Sequence, residues 1–113
     1  MTVDATEDIE LREKLLSAWS IETGGKWRSD TPACGQCSVT ALVAQDLLGG
    51  EILKTQVEGQ WHFYNCIGGR RLDLTESQFG QPLDYQDVPS NRSEALEDTS
   101  VAQYELLKGR VTS

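Results

Sequence analysis

The stretch CGQCSVTALVAQDLLGG, residues 34–50, decides the fold that we expect from this sequence. From about residue 36 to residue 48, apolar side chains occupy most positions and are not confined to one side of a helical wheel. A helix that is apolar on nearly all sides is buried by its neighbours, so we predict a central helix here. Gly49 and Gly50 end it, because glycine readily adopts the backbone conformation found at a helix C-terminus.

After this helix the pattern becomes typical of β-strands. Residues 51–58 predict a first strand, and the aromatic-rich segment QWHFYNCI, residues 60–67, predicts a second. Gly68 and Gly69 are a two-residue hairpin signal, and residues 70–75 (RRLDLT) then return as a third strand. These segments predict an antiparallel sheet of at least three strands.

Helices flank this centre at both ends of the chain. Residues 6–20 and 100–108 place apolar side chains at helical spacing, whereas residues 76–89 contain two prolines and predict mostly loop. The predicted order is two helices, three strands and a final helix. This order defines an α+β fold with N-terminal helices packed on an antiparallel sheet, and the length of 113 residues is that of one domain.

Composition excludes several classes of protein. Lys and Arg number 10 and Asp and Glu 18, a formal charge of −8 with no basic stripe, so we expect binding neither to nucleic acid nor to a membrane. No apolar run reaches the ~20 residues that span a bilayer. The acidic start MTVDATEDIE lacks the apolar core of a signal peptide. An odd cysteine count also fits a reducing compartment, so we expect a cytoplasmic protein.

The predicted hairpin determines which side chains share a face of the sheet. If the two glycines form the turn, His62 lies opposite Thr75, and Asp73 is a diagonal neighbour on the same face. Diagonal neighbours are about 7–8 Å apart at the backbone, so the only histidine can contact the Asp73 carboxylate, and we expect it to do so through Nδ1. The alternative interpretation is an ordinary surface pair without function.

Cys37 falls in the first turn of the predicted central helix, and Cys34 in the loop before it. The free N–H groups and the helix dipole favour a thiolate at the position of Cys37. The same N–H groups can hold an oxyanion beside the sulfur. The alternative is that Cys37 is a small apolar residue packed against the sheet.

Two cysteine chemistries fit the spacing poorly. A thioredoxin-type dithiol needs a buried strand directly before Cys-x-x-Cys, and the preceding KWRSDTPA is not one. A structural zinc site would use four side chains of suitable type: Cys34, Cys37, His62 and Cys66. On an extended strand, however, His62 and Cys66 lie about 13 Å apart, which is too far for one ion.

A catalytic triad fits better. Cys37 would be the nucleophile, His62 the general base, and Asp73 the group that orients the base. The chain order Cys, His, Asp is that of papain-like and transglutaminase-like proteins, and the predicted elements put the nucleophile on a helix and its partners on adjacent strands.

The central residues also resemble a known family. The segment PACGQCSVTALVAQDLLGGEI, followed by WHFYN and RLDLTESQF, resembles the YunG-like family of small bacterial proteins, and the resemblance covers roughly residues 19–107. It implies a single papain-like cysteine-hydrolase domain over residues 1–113. Carried over by position, Cys37 is the nucleophile, His62 the base and Asp73 the orienting group. Gln36 is a candidate for the oxyanion hole, together with the N–H of Cys37.

From these observations we expect a cysteine hydrolase or acyl transferase that acts on an amide or similar carbonyl through a thioester, without a metal or cofactor. A chain of this length has little room for a deep cleft, so we expect a small-molecule or protein-tail substrate. The alternatives are a redox or zinc protein, or a catalytically inactive papain-fold binding module. In that module Tyr64, Trp61 and residues 76–89 would form the binding surface.

Overall fold

The computed structural model describes residues 5–113 and contains four helices, four strands and one 3₁₀ turn. In chain order the elements are α1 (Ala5–Ala18), α2 (Cys37–Leu48), β1 (Glu51–Val57), β2 (Gln60–Ile67), β3 (Arg70–Leu72), the 3₁₀ turn (Glu76–Gln78), β4 (Val88–Pro89), α3 (Arg92–Glu97) and α4 (Val101–Thr112). The predicted α+β class is confirmed, and the sheet is antiparallel.

Helix α2 lies at the centre of the fold, as its composition predicts. Every residue from 38 to 44 is buried, because the sheet covers one side of the helix and α3 and α4 cover the other. Trp19, just after α1, donates a buried 2.9 Å hydrogen bond from Nε1 to Thr40 Oγ1. The Asn65 side chain ties β2 to α2 by donating to the carbonyl of Ala41. These two hydrogen bonds fix the position of the N-terminal half of α2 relative to β2.

The strands lie in the order β3-β2-β1-β4. The predicted turn at the two glycines is confirmed, since Ile67 faces Arg70 across it. Strand β3 is shorter than predicted and ends at Leu72, opposite Asn65, so the predicted pairing of His62 with Thr75 does not form. The Asp73 side chain accepts a hydrogen bond from Thr75 N at 3.2 Å, which turns the chain out of the sheet.

Three further differences concern the ends of elements and short elements. Helix α4 continues past Gly109 to Thr112, because Leu107 and Val111 are buried on either side of that glycine. Strand β4, within the predicted loop, pairs with the edge of β1, where a proline is tolerated. Helix α3 was not predicted, since its six residues bury only Ala95.

Within residues 5–113, no helix combines the length and apolar character that a membrane crossing requires. The segment from which we predicted the absence of a signal peptide begins outside the described residues.

The junction between α2 and β1 generates a stability prediction. Gly50 has φ of +79°, and a Cβ added there would lie 2.3 Å from the carbonyl oxygen of Cys66. We expect Gly50→Ala to lower the free energy of unfolding by about 3 kcal/mol or more. Gly59 has nearly the same φ, +80°, but nothing lies within 4 Å of its added Cβ. Gly59→Ala should therefore cost only the ~1–2 kcal/mol of the left-handed backbone.

Urea unfolding of the two variants measures the difference directly. Equal losses for Gly50→Ala and Gly59→Ala would contradict the close approach of the backbone at Gly50.

Candidate active site

His62 and Asp73 form a buried pair. His62 lies on β2 and Asp73 directly follows β3, and their side chains meet with Nε2 2.7 Å from Oδ2. Only 2% of His62 and 5% of Asp73 are exposed. The predicted partners are therefore in contact, but the nitrogen is Nε2 and not the expected Nδ1. The physical reason is the early end of β3, which brings Asp73 to the ring from outside the sheet.

The Asp73 carboxylate is surrounded by donors. Tyr85 donates its hydroxyl to Oδ2 at 2.8 Å, the same oxygen that His62 contacts. Thr75 donates to Oδ1 from its backbone N–H at 3.2 Å and from its hydroxyl at 3.3 Å. An ionised carboxylate only accepts hydrogen bonds, so these partners suit the charged form.

Sequence reasoning missed both of these partners. Thr75 could have been found, because Asp-x-Thr at the end of a strand is a signal for a side-chain-stabilised turn. Tyr85 carries no such signal, since it reaches Asp73 from the middle of a loop.

Aromatic rings hold the imidazole of His62 in place. Phe79 packs edge-on against it at a centroid distance of 4.8 Å, and Tyr64 is stacked beside it at 6.0 Å. The hydroxyl of Tyr64 donates to Asp87 at 2.8 Å, which anchors the loop that covers this face. Nδ1 of His62 is buried and has no hydrogen-bond partner among the described residues.

Cys37 is the first residue of α2, and its half-buried thiol lies beside the His62 ring. Burial disfavours charge on the ring, but the hydrogen bond to Asp73 and the attraction to Asp73 and Cys37 outweigh it and raise the pKa of His62 to about 9. Because Asp73 takes Nε2, the nitrogen available to Cys37 is Nδ1. The structure therefore places His62 and Asp73 in direct contact and Cys37 on the wall of the same cleft, with no hydrogen bond between the thiol and Nδ1.

The sheet is open near the His62 ring. Strand β3 pairs with β2 only as far as Asn65, so the end of β2 that carries His62 has no neighbour from β3. Cys37 and His62 both line an open cleft of about 950 Å³. Trp61, which is 42% exposed, and Phe79 give the cleft aromatic surface.

Gln36, the predicted oxyanion-hole side chain, is placed elsewhere. It is fully buried, accepts a 2.8 Å hydrogen bond from Thr23 Oγ1, and directs Nε2 toward the carbonyls of Ser20 and Gly24 at 3.4 Å. Its amide therefore holds the loop between α1 and α2 and does not line the cleft. No side chain caps α2, so the N–H groups of its first turn have no partner within the helix.

The other two cysteines, Cys34 and Cys66, are half-buried free thiols, as is Cys37. In the part of the chain that the structure describes, no three side chains of His, Cys, Asp or Glu are grouped so as to hold a metal ion. The geometry thus gives no support to the zinc alternative.

The chain is thus an α+β protein in which a buried His–Asp pair lies beside the thiol at the start of a central helix. The family model described as YunG protein matches residues 7–113, and the chain belongs to this family. The YunG protein of Bacillus subtilis (strain 168) is 50% identical over 94 residues, which cover 83% of this chain and 82% of that relative. No solved structure matches the chain, so the papain-like part of the fold stays a prediction.

Oδ2 of Asp73, which both His62 and Tyr85 contact, generates a second prediction. Tyr85→Phe removes a hydrogen bond to a buried carboxylate, and we expect it to lower the free energy of unfolding by about 1.5–3 kcal/mol. In an Asp73→Asn background the same change should cost at least ~1 kcal/mol less, because the charged acceptor is gone. Urea unfolding of the four proteins gives this coupling energy, and additive effects would contradict the contact.

Proposed function

We propose that this chain is a cysteine hydrolase or acyl transferase that acts on an amide or similar carbonyl through a thioester on Cys37. His62 is the general base, and Asp73 holds its ring in the required orientation. In this proposal residues 1–113 form one papain-like domain, in which a buried helix supplies the nucleophile and the sheet region supplies the base and the orienting group. The reaction requires no metal and no cofactor.

The observation that carries the proposal is the buried His62–Asp73 pair beside a thiol on the wall of an open cleft. Oδ2 of Asp73 lies 2.7 Å from Nε2 of His62 and accepts a hydrogen bond from it. The other ring nitrogen, Nδ1, is left for Cys37. Nδ1 is buried without a hydrogen-bond partner among the described residues. Such a group is costly in a folded protein, and a proton-transfer role accounts for it. An ordinary surface pair would leave this nitrogen in contact with water.

In the reacting form the thiol proton of Cys37 is already on Nδ1 of His62, because a ring with a pKa of about 9 is protonated at neutral pH. A sulfur lone pair then forms a bond to the carbonyl carbon, and the π electrons of the C=O bond move onto oxygen. The resulting tetrahedral oxyanion collapses, the leaving group takes the proton from Nδ1, and a thioester remains on Cys37. Attack by water completes hydrolysis, and attack by an amine completes acyl transfer.

The shape of the cleft supports a small or exposed substrate. The cleft is open to solvent, and its volume of about 950 Å³ suits a small molecule or the tail of a protein. Trp61 offers an exposed aromatic surface in it, with the ammonium of Lys54 4.4 Å from the ring centroid. We therefore propose one of these two substrate classes over a long bound peptide.

The binding-module alternative is weaker in this geometry. It requires Tyr64 on the surface, but Tyr64 is 1% exposed and its hydroxyl bonds to Asp87. Of the two aromatic residues assigned to that surface, Trp61 alone is accessible.

Thiol reactivity tests the proposal, because all three cysteines are half-buried and free, so Cys34 and Cys66 are internal controls for Cys37. We expect iodoacetamide at pH 7 to alkylate Cys37 at least ~10-fold faster than either control, since His62 assists formation of the thiolate. His62→Gln should slow the alkylation of Cys37 by a similar factor and leave the alkylation rates of Cys34 and Cys66 unchanged. Site-resolved mass spectrometry measures the three rates.

Slow and equal labelling of the three thiols would contradict the proposal and favour the binding module. A Cys34–Cys37 disulfide formed in preference to alkylation under mild oxidant would favour the dithiol alternative.

A further inference from the structure

The amide of Gln78 is a donor without an acceptor. Gln78 ends the 3₁₀ turn, and its Nε2 is buried with no hydrogen-bond partner among the described residues. Its Oε1 accepts a 3.5 Å hydrogen bond from the backbone N–H of Gly35. The N–H of Gly35 can only donate, so the atom of the Gln78 amide that faces it must be the oxygen. The amide nitrogen, Nε2, is therefore the atom without a partner.

Gln78 lies in the cleft where the proposed reaction takes place. It lines the same cleft as Cys37 and His62, and its partner Gly35 is two residues before the nucleophile. A buried donor left unpaired costs roughly 1–3 kcal/mol. That cost is recovered if an acceptor arrives with a substrate, whereas the amide of Gln36 already has protein partners.

One short segment positions both Gln78 and the orienting carboxylate. Thr75 donates to Asp73 Oδ1, and the carbonyl of Thr75 accepts from Gln78 N at 3.1 Å. Residues 73–78 therefore form one hydrogen-bonded turn that supports the base at one end and presents the Gln78 amide at the other.

We infer that Gln78 Nε2–H stabilises the oxyanion formed when Cys37 attacks a carbonyl, together with the backbone N–H of Cys37. This inference rests on the proposed function, and it assigns to Gln78 the role that the sequence suggested for Gln36. The acceptor is the oxygen of an acyl group, which gains negative charge as sulfur bonds to its carbon and loses it when the thioester forms.

Two reagents separate this role from activation of the thiol. 4-Nitrophenyl acetate acylates a thiol through a tetrahedral oxyanion, whereas iodoacetamide alkylates it by direct displacement without one. We expect Gln78→Met to slow acylation of Cys37 on the order of 10²-fold and to change alkylation less than about twofold. Gln81→Met is the matched control, because Gln81 is exposed in the same loop and does not line this cleft.

Gln78→Glu provides a second variant of the same shape that can still accept from Gly35 but, once ionised, cannot donate. In the Gln78→Glu protein, acylation of Cys37 at neutral pH should also be slowed. Unchanged acylation in a folded Gln78→Met protein would overturn the inference, as would equal losses of acylation and alkylation, which indicate a role in holding the thiol. If wild-type Cys37 reacts no faster than Cys34 with either reagent, the proposed function itself fails.

Discussion

The hydrogen bond between His62 and Asp73 is the constraint on which the rest of this structure depends. Burying two ionisable side chains almost completely is costly unless they pair with each other and with further hydrogen-bonding groups. Asp73 meets this condition through Tyr85 and Thr75, and the loop that carries Tyr85 is itself anchored to the sheet through Asp87 and Tyr64. The one nitrogen that is left over faces the proposed chemistry.

The fold brings a thiol to that nitrogen by two simple means. Residues 38–44 of α2 are all buried, which fixes the position of the helix and therefore of its first residue, Cys37. A third strand that ends early leaves one end of β2 uncovered, and the thiol, the imidazole and the cleft meet there. Within residues 5–113 no side chain caps the start of α2, so its first N–H groups have no partner within the helix.

Local patterns in the sequence were sufficient for the central helix, for the exact span of β2 and for the glycine turn. The contact between His62 and Asp73 could be predicted because the glycine turn brings the chain after β3 back beside β2, although the predicted pairing of His62 with Thr75 does not form. The nitrogen involved could not, since it depends on where β3 ends. Tyr85 and the free amide of Gln78 depend on the path of a long loop, and the burial of Gln36 depends on contacts with a distant turn. No local periodicity encodes these contacts.

Titration of His62 by NMR tests the central claim most directly, because it is the only histidine and gives a single set of imidazole resonances. The account predicts a pKa of about 9 in the wild-type protein, well above the usual 6.5, and a lower pKa in Asp73→Asn. A wild-type pKa at or below 6.5, or one that Asp73→Asn leaves unchanged, would contradict the buried pair and the site built on it.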